Sequence, residues 1–561
     1  MNTVEPFSTL DADLDTEDDV VALVPWGDLV VRGASLHPDR DVFVIDGHRR
    51  TYAEMDARAQ QIGRGLLALG VRPGDHVGIL MPNCMDFLDV WFGASYIGAV
   101  VVPVNARFKS RELGYVVENA DLVTIFTSDI VEQHTDYVEL LHEALPGLVD
   151  AEDPVALSLE AAPRLRSAVL LGSRSAPGFL DRDGFESLIS TATAEASTVD
   201  ELRRRVAVRD TAVIFYTSGT TAMPKGCMLD HETLLRVGVN TARRMKLADG
   251  ERMWDPLPLF HTAATQPMVA VLHRCGTYVS MTHFDASSAL ELIRTERVTS
   301  MFTAFPIIAQ AILNHPDYDE ETLRDVRVTF NVAPPDALKA MQERMPYTAQ
   351  ITGFGMTETG GSVVLSRPEE PVDVRAGAEG APFPGMVIEI RDLVTNEPLP
   401  TGERGEIVVR GPQVFQGYFK SEKKNAEVME AGGWFHTGDL GAIDDDGRLH
   451  YLGRTKDMLK VGGENVGAIE IESFLALHPA VSIAAVVGVP DDRYVEVAAA
   501  FIELRPGHSA TEQEIVDFCA EGLARFKVPR YVRFVTEWPM SATKVQKFQL
   551  RDQLIEELAG R

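Results

Sequence analysis

The sequence predicts an α/β protein with a large N-terminal domain and a smaller α/β unit at its C-terminus. Three observations carry that reading. The 561 residues are too many for one ordinary core. Apolar strand-like runs alternate with helical patterns, which implies parallel sheets covered by helices. From about residue 371 the pattern changes to short strands broken by Gly and Pro.

The elements follow in order. Residues 1–22 form an acidic leader, expected to be frayed. A helix is predicted around Tyr52 to Leu69, a strand over His76 to Leu80, a helix over Asp86 to Tyr96 and a strand ending at Val104, together a βαβ crossover. Residues from about Val149 to Glu201 lack a sustained period and read as an insertion or a connection between subdomains. Within the β-rich stretch of about 371–455, GEIVVRG (Gly405 to Gly411) is a strand, and a hairpin turns at Asp444-Asp445-Asp446-Gly447. The domain boundary falls near Lys456, giving units 23–455 and 456–561; the second ends in an amphipathic helix carrying Phe548, Leu550, Leu554, Ile555 and Leu558.

Composition narrows the function. With 45% hydrophobic and 24% charged residues the chain reads as globular, and a net charge of -30 opposes nucleic acid or an anionic membrane surface as partner. Cys84, Cys227, Cys275 and Cys519 lack metal-ligand spacing and read as reduced thiols in a cytoplasmic protein. No apolar run has membrane-spanning length.

The chemistry begins at TAVIFYTSGTTAMPKG, Thr211 to Gly226, a strand running into a hydroxyl- and glycine-rich loop that ends in Lys225. Small residues let backbone N–H groups approach phosphate oxygens, hydroxyls add donors, and lysine offsets charge. A Walker A loop needs Gly-Lys followed by Ser or Thr, whereas Lys225 lies between Pro224 and Gly226. The plain alternative is a polar turn between strand and helix.

YTSGTTAMPKG resembles the signature loop of the adenylate-forming superfamily, which contains acyl-CoA synthetases, peptide-synthetase adenylation domains and luciferases; Ala222 stands where that pattern has Gly. Further resemblances recur in chain order: PLFHTAA from Pro258, FNVAPPDAL from Phe330, GFGMTETGG from Gly353, GGWFHTGDLG from Gly432, GRTKD from Gly453, LKVGGENVG from Leu459 and PMSATKVQKFQLR from Pro539. The resemblance implies a large domain of two parallel-type sheet subdomains plus a small β-barrel-like subdomain, followed by a small mobile α/β C-terminal domain.

It also implies roles. Thr217, Ser218, Gly219, Thr220, Thr221 and Lys225 would bind the ATP phosphates. Phe354 and Gly355, with Ala333 and Pro334, would meet adenine, and Asp439 and Arg454 the ribose. Glu358 and Thr217 would hold Mg²⁺, and Thr357 would face the reacting phosphate. His261, Ala264, Thr265, Met268, Gly353 and Gly355 would bound the acyl pocket. Lys456 is the hinge, Lys544 the adenylation lysine, Lys460 a second-step residue, and Gly462 and Gly463 the CoA side. Asn331-Val332 replaces glycine-rich sequence, and Thr543-Lys544 lacks an intervening Gly.

The expected activity is that of an ATP-dependent acyl-CoA synthetase acting on an apolar carboxylic acid, a medium-to-long fatty acid or an alicyclic, aromatic or steroid side-chain acid, with CoA as acceptor. A ligase loading a carrier protein and a catalytically weak acyl or nucleotide binder remain as alternatives. An amino-acid adenylation domain fits poorly, because His261 stands where its ammonium-binding Asp is expected and Phe284-Asp285 lies too far downstream. Homodimers are common among soluble enzymes, so a homodimer is the assembly to test.

Overall fold

The computed structural model describes residues 23–217, 223–454, 458–461, 464–491, 495–541 and 544–559. Ser218, Gly219, Thr220, Thr221, Ala222, Lys456, Gly462, Gly463 and Thr543 lie outside the described residues, as does the leader.

Two large, mainly parallel sheets dominate the chain. In the eight-stranded sheet, His76–Leu80 pairs in parallel with Val100–Pro103 and with Leu122–Thr127, the predicted crossover. Val100–Pro103 then pairs with Thr211–Thr217, and the antiparallel strands Lys225–Asp230 and Gly417–Tyr418 complete that edge. The seven-stranded sheet runs in parallel from Ala349–Ile351 through Val328–Asn331, Ser300–Ala304, Arg252–Trp254 and Thr277–Ser280 to Asp41–Ile45, with His48–Thr51 antiparallel at its edge.

Helices cover the sheets because their apolar stripes demand it. The helix Tyr52–Ala68 opens with a capping box, Thr51 accepting from the Glu54 N–H while Glu54 accepts from the Thr51 N–H. Trp26, Phe43, Trp91 and Phe92 meet in one core beneath it. Each fully buried side chain such as Phe43 or Phe92 contributes about 1.5–3 kcal/mol.

One expectation is corrected. Residues 149–201 are not a separable insertion, since Ser167–Leu170 and Leu180–Asp181 extend the eight-stranded sheet and Arg182–Thr191 packs on the Tyr52–Ala68 helix. The strands are only four and two residues long, too short to display a period.

The β-rich stretch forms a four-stranded antiparallel sheet, Val387–Arg391, Gly405–Arg410, Trp434–Ile443 and Leu449–Arg454, beside a three-stranded one of Gly353–Met356, Gly361–Leu365 and Ala381–Pro382. The C-terminal sheet contains Met458–Val461, Glu464–Gly467, Val481–Asp491, Val495–Leu504 and Tyr531–Phe534. It has its own core, with Leu459, Ile471 and Val486 on one face and Leu550 and Leu554 of the final helix on the other. Phe548, expected on that helix's apolar face, is exposed. Among the described residues no helix is long and apolar enough to cross a membrane.

Candidate functional site

The predicted site residues gather where strands end. Thr217 closes the strand Thr211–Thr217, Ala333 and Pro334 follow Val328–Asn331, Gly353 follows Ala349–Ile351, and His261 follows Arg252–Trp254. All these are the carboxyl ends of strands in parallel pairings, the edge where α/β sheets bind ligands.

On the phosphate side, Lys225 begins the antiparallel return strand opposite Thr217. Gly417–Tyr418 pairs with that return strand, Tyr418 facing Cys227 in the register. The Tyr418 O–H donates to Glu358 Oε1 at 2.7 Å, and Lys225 Nζ lies 5.7 Å from the centre of the Tyr418 ring. Burial first, and the Glu358 charge second, push the Tyr418 phenol well above its ordinary range, so it stays a donor. The Glu358 carbonyl also accepts from the Phe415 N–H at 2.9 Å. Thr357 and Glu358 sit in a single 3₁₀ turn, Thr357–Thr359, ended by left-handed Gly360.

On the nucleoside side, Phe354 is 7% exposed and stacks beside Tyr451, ring centres 5.6 Å apart and 29° from parallel. The predicted adenine residue is therefore half of an aromatic pair. Glu379 accepts from the Tyr451 N–H at 2.7 Å, and burial raises its carboxyl to about 7. Asp439 is 4% exposed and faces Arg454 across the hairpin, with Arg454 Nε 3.5 Å from its carboxylate. The register with the neighbouring strand shifts between Glu406 and Val408, and the extra residues lie on the Trp434–Ile443 strand, between His436 and Leu440, where they form the turn that presents Asp439.

His261 begins the helix Thr262–His273, and the loop leading to it is pinned from two sides. Asn83 donates to Leu257 O and accepts from Leu259 N, both at 2.8 Å, while Asp255 accepts from Leu257 N and from the Tyr278 O–H. Complete burial holds the Asp255 carboxyl well above the ordinary range. Ala264, Thr265 and Met268 are buried, with Ala264 and Met268 in the main core. A side chain at Gly353 would meet Val364 O at 2.4 Å and one at Gly355 would meet Gly361 O at 2.1 Å. Both glycines therefore serve close strand pairing.

Asn331, which replaces a family glycine, is buried and spans three strands, accepting from the Thr303 O–H at 2.7 Å and donating to Gln350 Oε1 at 2.9 Å. Val332 beside it is exposed. Lys460 is paired opposite Asn465 in a hairpin, and Lys544 opposite Ser541 in another. Lys547 pairs with Glu472 at 2.7 Å inside the C-terminal unit. Among the described residues the one group of three potential metal ligands is His37, Asp249 and Cys275, where Arg40 already reaches Asp249 and the Cys275 carbonyl.

Sequence reading missed Tyr418, Tyr451, Asn83, Asp255 and Glu379. Each lies outside the signature segments, and only the fold brings it to them.

Residues 30–419 match the family described as AMP-binding enzyme, and residues 470–544 match the AMP-binding enzyme C-terminal domain. YngI of Bacillus subtilis, whose name reads "Putative acyl-CoA synthetase YngI", is 34% identical over 540 residues, covering 94% of this chain and 97% of its own. The mitochondrial medium-chain acyl-CoA ligase ACSF2 of Rattus norvegicus is 32% identical over 548 residues, covering 95% and 88%. The crystal structure of the anthranilate CoA ligase AuaEII in complex with anthranoyl-AMP has a TM-score of 0.82 at 27% identity, covering 96% of this chain and 99% of that one.

Two mainly parallel sheets followed by a small α/β unit agree with the adenylate-forming fold of the matched structure, and the chain belongs to the AMP-binding enzyme family. Within it the chain stands in the acyl-CoA synthetase branch and is an acid–thiol ligase.

Proposed function

We propose that the chain activates an apolar carboxylic acid with ATP, releasing pyrophosphate, and passes the acyl group from acyl-AMP to CoA. The observation that carries this reading is the convergence of Thr217, Lys225 and Glu358 on the strand pair closed by Tyr418, which joins the phosphate loop to the carboxylate of a distant motif.

In the first step the acid's carboxylate oxygen attacks the α-phosphorus and the bond to pyrophosphate breaks. Lys225 offsets phosphate charge, Thr357 donates toward the α-phosphate or the carboxylate, and Lys544 bridges the two in the transition state. Asp439 and Arg454 hold the ribose, and Phe354 with Tyr451 meets adenine. Mg²⁺ fits the donor set, because a hard cation takes oxygen ligands and Glu358 and Thr217 supply a carboxylate and a hydroxyl; when bound it offsets charge on the phosphate oxygens.

In the second step the small domain turns about Lys456, removing Lys544 and presenting Lys460, Gly462 and Gly463 to CoA. The thiol attacks the acyl-AMP carbonyl, AMP leaves and the thiol proton is lost to solvent or a nearby base. His261 shapes the carboxylate entry.

The segment bearing Ala264, Thr265 and Met268 contains no charged side chain, which favours a medium-to-long fatty acid or an alicyclic, aromatic or steroid side-chain acid. ACSF2, named as a medium-chain ligase, supports the fatty range, and AuaEII, named for anthranilate, supports a ring. Free, buried cysteines suit a reducing cytoplasm. A homodimer is the assembly that light scattering would test.

Lys544→Ala is the test of the two-step reading. It is expected to reduce acyl-AMP formation by about 10²–10³-fold while sparing thioester formation from supplied acyl-AMP. Equal loss of both steps would overturn the division of labour. Thioester mass spectrometry with free CoA and a mixed acid library identifies the acid, and silence with CoA but transfer to a carrier protein would replace the acceptor.

A further inference from the structure

The turn that carries Asp439 is held by a charged clamp that no signature motif assigns. His436 lies between two carboxylates, with Nδ1 2.9 Å from Glu406 Oε2 and Nε2 2.8 Å from Glu430 Oε1. Two carboxylates accept only if both ring nitrogens donate, which requires the imidazolium. The other oxygen of Glu406 accepts from the Gly438 N–H at 2.9 Å. Gly438 is left-handed, at φ +71°, and immediately precedes Asp439. Thr437 completes the turn, donating to Ile407 O and accepting from the Asp439 N–H at 3.0 Å.

We propose that His436, as an imidazolium, is the positioning residue for the ribose carboxylate Asp439, acting through Glu406 and the Gly438 N–H. This rests on Asp439 meeting the ribose.

The clamp is asymmetric. Glu430 is anchored a second time, by Arg391 Nη1 at 2.8 Å and by the Asn396 amide at 2.5 Å. Glu406 faces the ring and the turn. When the ring loses a proton, one nitrogen presents a lone pair to a carboxylate, and the less anchored Glu406 is the one that moves. Its movement releases Gly438 and lets Asp439 leave the ribose.

The other charges packed around His436 are cations: Arg391, which is paired with Glu389 and Glu430 and lies over the Trp434 ring, and Arg410 on the same ring. Cations oppose a second positive charge, so the two carboxylates are what hold the proton. Burial lowers the ring's affinity for a proton, but the bonds to Glu406 and Glu430 outweigh it, and His436 sits above its ordinary value. Glu430, held by His436 and Arg391, falls to about 2. The sign follows: a raised histidine contributes fully below its unfolded value of about 6.5, and the contribution is lost as pH rises through the raised value. Ribose recognition therefore weakens on the alkaline side.

The experiment compares ATP with 2′-deoxy-ATP and 3′-deoxy-ATP in pyrophosphate release by the full chain. His436→Gln keeps hydrogen-bonding atoms but loses the charge. It is expected to raise the KM for ATP about fivefold, to cut discrimination against the deoxy nucleotides by a similar factor, and to leave the KM for the acid unchanged. The native chain is expected to show a rise in KM for ATP on the alkaline side, and the variant should abolish it. Glu406→Gln, which preserves the shape of the clamp, should act in the same direction and guards against a misfolded variant. Unchanged discrimination and an unchanged pH profile in both variants, with Asp439→Asn reducing discrimination, would overturn the positioning role alone. If Asp439→Asn leaves discrimination intact, the ribose assignment falls and the proposal with it.

Discussion

Two carboxylates in this molecule are held in place by opposite means. Glu358 is steadied by a buried phenol, whose affinity for its proton burial has only increased. Asp439 is steadied through a chain of charges, Glu406, His436 and Glu430, in which a histidine must remain protonated. The support of Glu358 is thus indifferent to pH near neutrality, and the proposed support of Asp439 responds to it.

The sharpest way to break this comparison is at the first carboxylate itself. Glu358→Gln should lower kcat/KM for pyrophosphate release by about 10²–10³-fold and raise the Mg²⁺ concentration needed for half-maximal rate. A variant with native Mg²⁺ dependence would remove Glu358 from the metal. Tyr418→Phe removes one hydrogen bond to a charged group, worth about 1.5–3 kcal/mol. It should raise the Mg²⁺ requirement about tenfold while leaving the pH profile of the KM for ATP as in the native chain, measured by titrating Mg²⁺ at several pH values. A Tyr418→Phe enzyme that acquired the ribose-side pH response would show that the two supports are not independent.

The smallest effect lies at Asn331. Asn331→Ala leaves Thr303 and Gln350 without their shared partner, at a cost of about 1–3 kcal/mol. Thermal unfolding should begin earlier, and both Mg²⁺ dependence and ATP discrimination should hold, since neither carboxylate depends on that network.

The contrast also explains what was legible in the sequence. Thr217, Lys225, Glu358, Asp439 and Arg454 stand in short segments whose spacing survives as a pattern. Their supports do not, because Tyr418 reaches Glu358 across 60 residues of sequence and Asn83 reaches Leu259 across 176. His436 stands within GGWFHTGDLG, but the motif alone gives it no role, because its meaning depends on Glu406, 30 residues away, and on a bulge that no composition reveals. The parallel sheets were readable from alternation, and His76–Leu80 is a strand with the predicted bounds. The segment 149–201 was not, since its strands are too short for a period and their place at a sheet edge is set by tertiary packing.

The short strand Gly417–Tyr418 has a consequence for how the molecule comes into being. It joins the edge beside Lys225–Asp230, and Gln416 next to it accepts from Thr211 across 205 residues. Contacts so distant in sequence form late, because loop closure must precede any gain from them. A nascent chain that has made the strand Thr211–Thr217 still lacks the strand that braces Glu358. Nucleotide can therefore reward only the completed fold, which makes ATP a selective stabiliser of finished molecules over partly folded ones.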